Sequence, residues 1–89
     1  SGTVTAIDRY GNIVTDVDPV RLGGLRGITL ELRGVPIERT ALTYAAMAGS
    51  PEPFLIVGSR GTLEISVSEG SAGSVLAARL LDRLLVRRR

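Results

Sequence analysis

Short alternating segments, each cut by glycine, proline, asparagine or aspartate, constrain this chain more than any other feature. Residues 3–7 read Thr-Val-Thr-Ala-Ile, polar and apolar by turns, before Tyr10, Gly11 and Asn12 signal a turn. A period of two suits a half-buried strand, whose successive side chains point to opposite faces. Residues 13–17 are rich in β-branched side chains and read as a second strand, ended by Asp18 and Pro19. Residues 20–27 hold three glycines and read as a loop. Residues 28–32 and 35–39 form an expected hairpin about Arg33 and Gly34, with Pro36 placing the second strand at an edge. Phe54, Leu55, Ile56 and Val57 are a continuous apolar run, as in a strand buried on both faces. A tight turn at 58–61 leads to 62–67, with Leu63, Ile65 and Val67 facing inward. Residues 84–86 close as a last strand. Residues 71–81 are the one helix candidate, capped by Ser71 or Ser74, with Val75, Leu76, Arg79 and Leu80 at helical spacing. The alanine-rich stretch 40–48 is assigned to neither class. The expected fold is all-β with one short helix, a small antiparallel β-barrel or sandwich.

The chain has 89 residues, one domain's worth, and no internal repeat or linker divides 1–89. A chain of this size buries a modest core and gains from a partner. It contains no cysteine and no histidine. Disulfides, thiolate metal sites and the usual base near neutral pH are therefore excluded within it. Only Tyr10, Tyr44 and Phe54 are aromatic, so the core must be aliphatic. No apolar run approaches the roughly 20 residues of a membrane span, and the start lacks the pattern of a signal peptide. A cytoplasmic location without membrane contact is the expectation. All eleven basic residues are arginine, and four of them are Arg83, Arg87, Arg88 and Arg89. The remainder sets seven arginines against nine acids, a net −2. A basic end suits nucleic acid or simple solvation, and no nucleic-acid motif accompanies it.

Few residues here carry chemistry unaided. Asp8, Asp16 and Asp18 are close in sequence and suit a carboxylate pair or a hard cation, but equally suit turns. Gly58, Ser59, Arg60 and Gly61 combine backbone amides, a hydroxyl and a guanidinium, a set that fits a carboxylate or phosphate. The stretch 8–12 joins the Asp8 anion, the Tyr10 ring and the Asn12 amide. Such a set serves an adenine and an ammonium, or simply a strand-turn-strand in which Asn12 bonds the backbone.

Four ordered motifs carry a resemblance. Ile7-Asp8-Arg9-Tyr10-Gly11-Asn12, with Thr15-Asp16-Val17, resembles the IDRFGN…TNI signature of the SAM hydroxide adenosyltransferase and fluorinase family. Gly58-Ser59-Arg60-Gly61-Thr62-Leu63-Glu64-Ile65 is similar to its NS-x-G-x-LEI segment, and Val67-Ser68-Glu69-Gly70-Ser71-Ala72 to its VNQGSA segment. Asp82-Arg83-Leu84-Leu85-Val86 looks like its closing GDxVxV strand. The resemblance implies the family's C-terminal β-barrel domain. It implies S-adenosyl-L-methionine as substrate, no cofactor, and a homotrimer in which the ligand lies between this domain and the N-terminal α/β domain of a neighbour. It places Asp8 on the methionine ammonium, and Ser59 and Arg60 on the carboxylate. Tyr10 and Tyr44 fall against the adenosine, Asn12 on the adenine edge, and the backbone around Val67 to Glu69 beside adenine. The family's water-activating Asp, Arg and His lie in the N-terminal domain, so no catalytic or metal-binding residue is assigned here. Tyr10 for Phe, Asp16 and Ser68 for Asn, Gly58 for Asn and Leu81 for Gly depart from the pattern.

The expected function is the adenosyl-binding half of an enzyme that cleaves S-adenosyl-L-methionine at C5′ with water, hydroxide or a halide. The alternative is a stand-alone binding or oligomerisation barrel without chemistry. A barrel that binds nucleic acid through its arginine end is a third, weaker fit.

Overall fold

The computed structural model describes residues 2–43, 49, 52–68 and 71–88. The strands are β1 (Gly2–Ile7), β2 (Ile13–Thr15), β3 (Ile28–Leu32), β4 (Val35–Ile37), β5 (Thr40–Ala41), β6 (Phe54–Val57), β7 (Leu63–Ser66) and β8 (Arg83–Arg88). One short helix, α1 (Ala72–Val75), precedes β8. The strands form one curled sheet in the order β4-β3-β8-β1-β2-β7-β6-β5, a partly open barrel with β4 and β5 at its edges. Neighbours are antiparallel except β5 and β6, which run parallel.

Alternation sets the faces. Ile28, Leu30 and Leu32 of β3 are buried, while Thr29 and Glu31 between them are only partly so. With Val4, Ile13, Leu55, Leu63, Ile65 and Leu84 they make an aliphatic core, as the scarcity of aromatics requires. Arg33 (φ 52°) and Gly34 (φ 80°) join β3 to β4 through two left-handed residues, the conformation that matches the twist of a two-residue hairpin. β6 is buried on both faces. Leu55 enters the main core, and Phe54 and Ile56 form a small second cluster with Ala41. Val57 departs from this, being 45% exposed where the strand runs into the 58–61 turn.

The helix is shorter than its spacing suggests. Ser71 caps it, its side chain accepting from the Ser74 amide, but it stops at Val75 rather than running to residue 81. Ala77 takes a left-handed φ of 53°, and the Ala78 amide donates back to the Gly73 carbonyl at 2.9 Å, which closes the last turn. Leu80, expected at helical spacing, and Leu81, the end of the expected helix, are exposed. The Asp82 carboxylate accepts from the Arg79 amide and shapes the approach to β8.

Arg83, Arg87 and Arg88 are part of the sheet. β8 pairs with β3 and β1. Arg88 donates to the Arg26 and Gly24 carbonyls, tying down the 20–27 loop. Among the described residues no helix is long and apolar enough to cross a membrane.

Candidate functional site

The β1–β2 turn is built around Asp8. Its Oδ1 accepts from the Tyr10 and Asn12 amides at 2.9 Å each, and its Oδ2 from Asn12 Nδ2 at 3.2 Å. The Gly11 amide donates to the Asp8 carbonyl, and the Asp8 amide to the Asn12 carbonyl. An aspartate that satisfies backbone amides two and four residues on holds such a turn in one shape. The same bonds leave capacity unused. A carboxylate has about four acceptor sites, and among the described residues these three bonds leave one on Oδ2. Asn12 gives Asp8 one of its two side-chain N–H groups, and among the described residues the other N–H and the carbonyl remain.

Gly11 seats this turn on α1. It is buried with φ +84°, and a Cβ there would meet the Ser71 side chain and lie 2.7 Å from its Cα. The Gly73 amide donates to the Gly11 carbonyl at 2.9 Å. Two motifs from opposite halves of the sequence thus form one surface. Tyr10 stands out from it, 68% exposed, with Arg9 5.1 Å over its ring and bonded to its hydroxyl.

The β6–β7 turn supplies the second part. The Gly58 amide donates to the Thr62 carbonyl and the Gly61 amide to the Gly58 carbonyl, with Gly61 at φ +84°. Ser59 and Arg60 are exposed at its tip. They line, with Asp8, Ala6, Val14 and Glu64, a cleft of about 210 Å³. Its floor is a row across β1, β2 and β7, in which Ala6 pairs with Val14 and Val14 with Glu64.

Asp8, Ser59 and Arg60 therefore share one cleft, with Asn12 and Tyr10 on the turn beside it. Val67 packs its side chain on the core, and Ser68 accepts from the Gly49 amide at 3.0 Å. Tyr44 and Glu69 lie outside the described residues. The three aspartates do not converge on one ion. Asp16 binds the Thr3 amide and hydroxyl, Asp18 caps the Val20 amide, and no group able to hold a metal occurs among the described residues. The bond from the Thr3 amide holds the Asp16 carboxyl below its ordinary value. Glu64 escaped the sequence reading because its alternation resembles that of any outward strand residue. The glycine at 58 was the available signal, since Glu64 occupies the space a side chain there would take. A larger apolar groove of about 600 Å³ lies elsewhere, against the β5 edge, lined by Pro19, Val20, Leu25, Ala41, Leu42 and Val57 among others.

Fold and cleft together describe a small β-barrel domain that carries its polar groups on hairpin turns. The chain belongs to the SAM hydroxide adenosyltransferase C-terminal domain family, whose pattern matches residues 2–85. Two solved structures share its fold. A conserved protein of uncharacterized role from Thermotoga maritima matches with a TM-score of 0.78 and 22% identity over 97% of this chain. A conserved hypothetical protein from Thermus thermophilus matches with a TM-score of 0.71 and 28% identity over 99% of it. The chain spans about a third of each, 35% and 34%. No curated protein matches it.

Proposed function

We propose that this domain supplies one wall of an S-adenosyl-L-methionine site in an enzyme that cleaves the substrate at C5′, giving adenosine and L-methionine. The observation that carries the reading is the convergence of Asp8, Ser59 and Arg60 on one cleft. The methionine end of the substrate bears a carboxylate and an ammonium. The Arg60 guanidinium fork and the Ser59 hydroxyl suit the carboxylate. The unused site on Asp8 Oδ2 suits the ammonium. Asn12 retains an N–H and a carbonyl, the pair that reads an adenine edge. Tyr10 offers a ring face to the nucleoside. The family resemblance adds the backbone at 67–69 and the Tyr44 side chain to the same wall.

Water or hydroxide attacks C5′, the C5′–S bond breaks, and its electron pair stays on the methionine sulfur; with water a proton is released. The sulfonium is its own leaving group, so the reaction calls for no cofactor. The residues of this chain fix the two ends of the substrate and thereby orient the bond that breaks. Nucleophile activation falls to an N-terminal domain, and a homotrimer would bring that domain against this wall. A halide in place of water fits the same wall.

Calorimetric titration of S-adenosyl-L-methionine into the chain tests the reading. Binding should weaken by about tenfold or more in Arg60→Ala, the scale of a lost charge-assisted bond. Equal affinities in the two proteins would contradict it.

A further inference from the structure

Backbone bonds fix where Asn12 sits, and a side-chain bond fixes which way its amide faces. The Asp8 amide donates to the Asn12 carbonyl at 3.0 Å, and the Gly11 amide to the Asp8 carbonyl at 2.9 Å. Asp8 Oδ1 takes the Tyr10 and Asn12 amides. Asp8 Oδ2 takes Asn12 Nδ2 at 3.2 Å, in a part-buried contact. The two ends of an asparagine amide are nearly alike in shape, so packing alone does not choose between them. An ionised carboxylate does choose, because it accepts hydrogen bonds and cannot donate them. Asn12 therefore turns its nitrogen to Asp8, which leaves its oxygen for another partner.

We infer that Asp8 is a positioning residue for base selection: by holding the Asn12 amide in one orientation, it makes the site prefer a 6-aminopurine to a 6-oxopurine. The inference rests on the adenosyl reading above and gives Asp8 a task distinct from holding the ammonium. Adenine presents its N6 amino group as a donor beside a ring nitrogen that accepts. The Asn12 oxygen has to face N6, and an Asn12 N–H the ring nitrogen. Hypoxanthine carries an oxygen at position 6, so the same pose sets two acceptors against each other. Asp8→Asn reverses this logic. The variant keeps an oxygen for the Tyr10 and Asn12 backbone amides, since the opposite placement would aim its NH₂ at two N–H groups. Its NH₂ then faces Asn12 in place of Oδ2. Two NH₂ groups cannot bond each other, so the Asn12 amide turns over and presents N–H to position 6.

The experiment titrates adenosine and inosine by calorimetry into the wild-type chain and into Asp8→Asn. Neither nucleoside has an ammonium, so the other task of Asp8 does not enter. The wild type should prefer adenosine by on the order of tenfold or more, the scale of a bidentate contact against the wrong base. Asp8→Asn should bring the two nucleosides to parity or favour inosine. A purely structural role for Asp8 would weaken both alike; that result, or a variant that keeps the full preference, overturns the inference and leaves the adenosyl reading intact. A second measurement needs the wild type alone, through the Asn12 side-chain N–H resonances with and without adenosine. One of the two should hold its position, bonded to Asp8 throughout, while the other moves. Movement of both or of neither overturns the inference even where the variant fails to fold. A wild type that binds neither nucleoside removes the adenosyl reading and the inference with it.

Discussion

The apolar groove beside β5 encloses about 600 Å³ and the cleft under the β6–β7 turn about 210 Å³, yet among the described residues no charged side chain lines the larger one. The groove is a consequence of topology. Edge strand β5 ends the sheet, and Val20, Leu42 and Val57 are left uncovered against a glycine-rich loop. The cleft is a consequence of local chemistry. Its position is set by Asp8 holding its own turn, by Gly11 seated on Ser71, and by Gly58 passing over Glu64. Volume reflects where the sheet ends, whereas the capacity to orient a ligand follows from where polar groups are held.

The sharpest way to break this contrast is Gly11→Ala. The added Cβ would strike Ser71 and the backbone would resist its positive φ, so a loss of roughly 2–4 kcal/mol is expected in denaturant melts. Adenosyl binding should fall with it, because the 8–12 turn lifts from α1. Next in size is Ser59→Ala, which removes one hydroxyl from the cleft without touching the core. Ligand affinity should drop several-fold, about 1 kcal/mol for a lost hydrogen bond, with an unchanged melting temperature. Leu42→Ser probes the opposite region. Leu42 is 96% exposed, so stability should shift by no more than about 0.5 kcal/mol. Adenosyl affinity should not move, while binding of an apolar dye to the groove should decline. Weakened adenosyl binding in this variant would erase the distinction between the two regions.

The smallest effect concerns neither concavity. Asp16 accepts from the Thr3 amide at 2.7 Å and from its hydroxyl at 2.9 Å, which lowers its carboxyl below the ordinary 3.8. A depressed folded-state value means that its contribution is present above the ordinary value and is lost as pH falls through the folded one. Asp16 is exposed, so solvent screens most of that contribution. Asp16→Ala should lower the melting temperature slightly at pH 7, and the gap should close in strong acid.

Most strands were legible because a period of two survives in β1, β3 and β7, and because Arg33-Gly34 and Pro36 are specific punctuation. The helix was misjudged because Val75, Leu76, Arg79 and Leu80 keep helical spacing, while the stop depends on Ala77 adopting a left-handed conformation that composition does not signal. β5 was ambiguous because Thr40 and Ala41 gain their strand character only by pairing with β6. Within the site, Asp8, Asn12, Ser59 and Arg60 were visible as turn residues with chemistry. The burial of Glu64 was not, because it arises from the return of the 58–61 turn across the sheet.

The most direct test of the account is a nitrogen-15 chemical-shift titration of S-adenosyl-L-methionine into the chain. The account predicts the largest shifts at the amides of residues 8–12 and 59–61, with Glu64 following and Val20, Leu25 and Leu42 silent. Shifts concentrated at the β5 groove, with residues 8–12 and 59–61 unmoved, would contradict it.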